Sequence, residues 1–172
     1  KPGPPPPGAQ KAPMPISYSI HASPIGDLLL VADEAALIRL HVREGKYVPA
    51  VPLTWRHDPG HPILNLTQRE LDAYFARQLR TFSVPIAPQG TPFQRRVWSA
   101  LTGIPYGATR TYAQQAQAIG QPAAVRAVGA ANGRNPISLI VPCHRVIGAD
   151  GSMTGYAGGL AAKRLLLALE AA

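Results

Sequence analysis

The strongest limit on the fold is a change of hydrophobic rhythm partway along the chain. Ile16, Tyr18 and Ile20 alternate with Ser17, Ser19 and His21, the pattern of a half-buried strand. Pro24-Ile25-Gly26-Asp27 signals a turn, and Leu28 to Val31 and Leu37 to Val42 read as two further short strands. Prolines and glycines break up residues 44–62, which read as a loop. From Pro62 to about Leu79 the spacing is helical, with Leu64, Leu71, Phe75 and Leu79 on one face and His61 or Asn65 as the cap. After a Pro/Gly-containing linker, helical spacing takes over. Thr91-Pro92 is a helix start, followed by Phe93, Val97, Trp98 and Leu101. Further helices are predicted over Thr111–Ile119, from Pro122 to Ala131 and over Leu160–Ala171. The expected class is mixed α/β of the α+β kind: a small antiparallel sheet with one helix over 16–85, a linker at 86–90 and a mostly helical unit over 91–172. Residues 1–15, mostly Pro, Gly and Ala, read as a disordered tail.

With 46% apolar residues in 172, the chain can bury a core. No apolar run nears the ~20 residues a membrane span needs, and no charged-then-apolar leader is visible, so the expected location is cytoplasmic and nucleoid-associated. One cysteine permits no internal disulfide, which fits a reducing compartment. The net charge of +8 is uneven: residues 91–172 carry eight Lys/Arg against only Asp150 and Glu170. That half attracts a polyanion, although a basic surface also serves mere solubility.

The predicted pair Thr111–Ile119 and Pro122–Ala131, joined at Gly120, has the form of a helix-turn-helix. Ala123, Ala124, Ala127, Gly129, Ala130 and Ala131 make its second helix nearly bare, with Arg126 as its one long cation. Such a helix can approach a narrow surface closely, or pack tightly as an ordinary core helix.

Cys143 stands in Pro142-Cys143-His144-Arg145 after the β-prone run Ile137–Val141. A thiol is a strong nucleophile only as thiolate, so a neighbouring base or cation must favour ionisation. His144 can do this directly if the chain turns at Pro142, or through one water. Glu170, one of two acids in the basic half, can hold the far imidazole nitrogen. A buried, inert cysteine is the competing reading.

Pro142-Cys143-His144-Arg145-Val146-Ile147-Gly148 resembles the active-site signature of the O6-alkylguanine-DNA alkyltransferases of the stand-alone bacterial type. Phe93–Trp98, Ile104–Gly107, Arg126–Asn132, Asn135–Ile137 and Thr154–Gly159 resemble the same family in the same order, and Ser23–Gly26 and Tyr74-Phe75 do so more loosely. The resemblance implies a ribonuclease-H-like N-terminal half and a winged-helix-like C-terminal half. It implies a single, irreversible transfer of the alkyl group from O6-alkylguanine, and from O4-alkylthymine, in double-stranded DNA to Cys143. No cofactor or metal is implied, and the expected solution state is a monomer that can assemble cooperatively on DNA.

The resemblance also implies the residue roles. His144 acts on Cys143 through a water, and Glu170 orients His144. Tyr112 donates to guanine N3 and helps rotate the nucleotide. Arg126 replaces the flipped base in the stack, with Thr111, Ala127, Gly129 and Ala130 against a minor groove only ~6 Å wide. Tyr156, Ala157, Gly158, Val146 and Ser138 line the base pocket. Asn135, Pro142, Arg145 and Lys163 support it, Asn135 as a hinge between the recognition helix and the active-site strand. Ala113 stands where several relatives carry a polar phosphate contact, and Ser138 where some carry proline. No cysteine precedes Cys143, so the zinc site of some relatives is not expected, and His21, His41, His57 and His61 lack metal-ligand spacing. The alternatives are a non-catalytic alkylated-DNA binder, which would replace the cysteine, a helix-turn-helix regulator and a Cys-His hydrolase.

Overall fold

Strands β1 (Ser17–His21), β2 (Leu28–Ala32) and β3 (Leu37–Val42) form an antiparallel meander in the computed structural model, which describes Gly3 and residues 14–172. The predicted tail lies almost wholly outside the described residues. A fourth strand, β4 (Arg56–His57), lies inside the expected loop and joins β1 in parallel, so the sheet is mixed, in the order β3-β2-β1-β4. Helix α1 (Pro62–Phe75) packs its Leu64, Leu71 and Tyr74 face on this sheet. His61 is its cap, accepting from Ile63 N at 3.2 Å. The helix stops short of Leu79 because Arg77 takes a left-handed conformation, φ 60°.

The second half follows the sequence closely where capping residues mark it. Thr91 and Gln94 form a reciprocal capping box at the start of α2 (Pro92–Leu101). Thr111 and Gln114 do the same for α3 (Tyr112–Ala118), and α5 spans Leu160–Ala171. Helix α4 begins at Val125, three residues after the expected Pro122, with no side-chain cap, and runs to Gly133. The Trp98 indole N–H donates to Ala131 O at 2.8 Å and ties α2 to α4. A short parallel pair, β5 (Arg110–Thr111) with β6 (Val146–Ile147), sets the start of α3 beside the cysteine segment.

Two segments cover the outer edge of β3. Leu37 exchanges hydrogen bonds with the 85–87 stretch, including Leu37 N to Pro85 O at 2.8 Å. Leu40 does so with 136–138, through Leu40 N to Pro136 O at 2.9 Å and Ser138 N to Leu40 O at 3.0 Å. An open strand edge is thereby closed, and the cysteine segment hangs directly on the N-terminal sheet. This also explains why the expected strand at 137–141 does not form. Only Ile137 bridges Leu40. Leu139 then turns at φ 73°, and the chain bends away from the sheet. One apolar core runs through both halves, from Leu30 and Leu40 through Trp98 and Leu101 to Val128 and Leu166.

Candidate active site

The bend after Leu139 delivers Cys143, His144 and Arg145 as a single 3-10 turn, all three buried. Cys143 lines a cavity of about 160 Å³ together with Tyr112, Gly129 and Asn132 from the helix pair and Gly155, Tyr156 and Ala157 from the following loop. Lys46 and Tyr47 from the β3–β4 loop complete the wall.

His144 is fully buried. Its Nε2 lies 2.8 Å from Glu170 Oε2. Burial raises the Glu170 carboxyl, but hydrogen bonds from His144, Arg145 and Tyr74 outweigh it and hold the value at about 2. An ionised carboxylate only accepts, so Nε2 carries the proton. Burial lowers the imidazole's own value, against the pull of Glu170. His144 is therefore neutral near pH 7, with a free lone pair on Nδ1, which has no hydrogen-bond partner among the described residues. Although the chain turns at Cys143, no direct hydrogen bond joins Cys143 to His144.

Arg145 points away from the pocket. Its Nε donates to Glu170 Oε1 at 2.7 Å, Nη2 to Oε2 at 3.0 Å and Nη1 to Ile104 O at 2.7 Å. Burial raises the Cys143 thiol above its ordinary value, and the Asn135 amide and the Lys163 charge oppose that rise. The resting sulfur is thus protonated near pH 7, and its ionisation needs a base or cation. Lys163 is buried without a carboxylate, and its Nζ donates to Val146 O at 2.6 Å and Thr154 O at 2.8 Å. Burial lowers its value and the nearby Cys143 restores part of it. A thiolate formed here would face that cation.

The other predicted residues fall around this centre. Asn135 staples the bend, with Nδ2 donating to Val141 O at 2.8 Å and Oδ1 accepting from Ile137 N at 3.0 Å. The Tyr112 hydroxyl donates to Thr154 O at 3.4 Å, and Gly129 sits over the Tyr112 ring. Arg126, Ala127 and Ala130 are exposed on α4, while Thr111 is spent on capping α3. Val146, Ser138 and Pro142 are buried behind the cavity rather than along it. Gly158 backs Tyr156, where a Cβ would collide with the Tyr156 ring and with Val42.

Sequence reasoning missed the contribution of the N-terminal half. Lys46 N donates to Ala157 O at 2.8 Å, and a Cβ at Gly45 would overlap the same carbonyl. Tyr47 is held at φ 60° with the Arg134 guanidinium 3.8 Å from its ring centroid. The left-handed tyrosine is a strained position that no local pattern in a Pro/Gly-broken loop announces. Asn132 was noted only as part of a motif, yet its buried amide borders the cavity with no partner among the described residues.

Known proteins resemble this chain over most of its length. Residues 16–88 match the family model for the 6-O-methylguanine DNA methyltransferase ribonuclease-like domain, and residues 92–172 match that for the DNA binding domain of the same family. The methylated-DNA–protein-cysteine methyltransferase of Methanosarcina acetivorans is 52% identical over 153 residues, covering 89% of this chain and 97% of that one. The protein of the same name from Mycobacterium tuberculosis is 50% identical over 155 residues, covering 90% and 92%. A crystal structure of M. tuberculosis OGT in complex with DNA superposes with a TM-score of 0.84 at 48% identity, covering 90% of this chain and 92% of that one. The chain belongs to the 6-O-methylguanine DNA methyltransferase family.

Proposed function

We propose that this protein repairs DNA by moving an alkyl group from guanine O6 onto Cys143, once per molecule. The observation that carries this reading is the placement of the sole cysteine: at the base of a cavity beneath the bare helix α4, beside a His144–Glu170 pair and the Lys163 cation. The Cys143 proton passes to His144 Nδ1 through a bridging water, and Glu170 stabilises the resulting imidazolium. The thiolate, favoured by Lys163, attacks the alkyl carbon. An S–C bond forms, the C–O6 bond breaks, and the electron pair leaves with guanine, which Tyr112 meets at N3 by rotating its hydroxyl from Thr154 O. The thioether has no good leaving group, so the thiol is not regenerated.

The target atom lies inside the duplex, so the nucleotide must leave the stack. Arg126 fills the gap, Ala127, Gly129 and Ala130 approach the minor groove, and Tyr156 walls the pocket, with O6 near the Ala157 backbone. O4-alkylthymine is a second substrate of the same chemistry. Residues 91–172 carry the reacting groups and 16–85 chiefly support them, with Lys46 and Tyr47 closing the pocket wall, in a cytoplasmic monomer that can assemble along DNA. Incubation with duplex DNA bearing O6-methylguanine should add one methyl mass to the peptide containing Cys143, and Cys143→Ala should bind DNA without reacting. No adduct at saturating protein would exclude the reading.

A further inference from the structure

Glu170 is held from two directions, and one of them is the N-terminal half. Tyr74, on α1, is 1% exposed, and its hydroxyl donates to Glu170 Oε2 at 2.5 Å. The same oxygen accepts from His144 Nε2 at 2.8 Å and from Arg145 Nη2 at 3.0 Å. Three donors thus share one carboxylate oxygen. The Tyr74 ring is fixed by Phe75, Phe82 and Tyr106, with centroids 5.2, 5.5 and 6.2 Å away. Burial and then the Glu170 contact push the phenol far above its usual range, so Tyr74 remains a donor wherever the protein is folded.

We propose that Tyr74 is a positioning residue for alkyl transfer: its hydroxyl orients Glu170 and limits how strongly that carboxylate attracts a proton onto His144. The physical basis is competition. Each donor on Oε2 draws charge from it, leaving less to stabilise an imidazolium at His144. A tyrosine serving only the core would satisfy its hydroxyl on any backbone carbonyl. This one reaches across 96 positions of sequence to the carboxylate partnering the histidine beside the sole cysteine. The N-terminal half thereby enters the chemistry through α1. The other titratable or charged groups facing this cluster are Arg145 of the turn, Tyr106 of the α2–α3 loop, Tyr156 of the loop after β6, and Lys163 on α5. Each is unchanged by a substitution at Tyr74.

The inference rests on the transfer reading but has a readout independent of it. In the full chain, Tyr74→Phe keeps the ring and removes the donor. Oε2 then carries more charge towards His144, so the imidazole becomes more basic. The 15N titration midpoint of His144 should rise by about half a pH unit or more. The acid limb of the single-turnover rate on O6-methylguanine duplex should move up in pH by the same amount. Site-specific 3-fluorotyrosine at position 74, a stronger donor of nearly the same size, should move both the other way and covers the case in which Tyr74→Phe folds poorly. A His144 midpoint that stays put in both variants, even with a lowered Tm, would reduce Tyr74 to a core residue and overturn the proposal. A midpoint that shifts in the variants of a protein whose wild type takes no methyl would instead overturn the transfer reading and leave the coupling of Tyr74 to His144 through Glu170 standing.

Discussion

Replacing Glu170 by Gln tests whether the buried ion cluster stabilises the fold in the way its geometry requires. Glu170 is 5% exposed, and its carboxyl is lowered from an ordinary 4.5 to about 2 in the folded chain. At roughly 1.36 kcal/mol per pH unit, the ionised form contributes about 3 kcal/mol to stability at neutral pH. An independent route gives a similar figure. Glutamine leaves the Arg145 guanidinium buried without a counterion, and breaking a buried pair in this way costs about 3–5 kcal/mol. The pH dependence follows from the sign. The folded value lies below the unfolded one, so the contribution is complete above pH 4.5 and is lost as pH falls through about 2. Urea midpoints of wild type and Glu170→Gln, taken from pH 7 down to 2.5, should show a gap of about 3 kcal/mol that narrows below pH 4.5. His41 titrates in both proteins and drops out of the difference. A gap that persists unchanged to pH 2.5, or one under about 1 kcal/mol at pH 7, would show that the cluster is not the stabilising unit described.

Three further outcomes are expected. Burial, with the Arg39 charge, lowers His41 to about 4, so its neutral form stabilises the fold above pH 6.5 and that contribution is lost as pH falls to 4. His41→Gln should flatten the stability profile in this window by up to about 3 kcal/mol, read from urea midpoints at pH 7 and 4.5. Asn132→Leu keeps the branched heavy-atom skeleton and removes a buried amide that has no partner among the described residues; calorimetry should find stability unchanged or raised by about 1–2 kcal/mol, and a clear loss would mean that the amide has a partner in solution. Arg126→Ala should slow transfer from duplex DNA while leaving reaction with a free O6-alkylated base near normal, and equal losses on both substrates would remove the stacking role.

Local chemistry decided what the sequence could reveal. Thr91, Thr111, Pro92 and the glutamines three positions after each threonine carry their own helix starts, so α2 and α3 were legible to within a residue. The stretch 137–141 was not, because its β-prone composition is overruled by Leu139 and by the single bridge to Leu40. Cys143, His144 and Glu170 were found as a constellation, yet the internal engagement of Arg145 was invisible, since it depends on where α5 docks. Tyr74 reads in sequence as one more aromatic on a buried helix face. Lys46 and Tyr47 sit in a segment without periodicity, and only docking onto Ala157 gives them a place.

The inward turn of Arg145 also bears on ionic strength. Residues 91–172 hold eight Lys/Arg, but Arg145 and Lys163 spend their donors inside the protein, and Arg110 donates to Ala100 O and Gln115 Oε1. Arg95, Arg96, Arg126, Arg134 and Arg164 are exposed. Each phosphate neutralised releases about 0.9 of a counterion from duplex DNA. The logarithm of the DNA association constant, plotted against the logarithm of salt concentration, should therefore fall from this half with a slope no steeper than about −4.5, against about −7 if all eight Lys/Arg met phosphates.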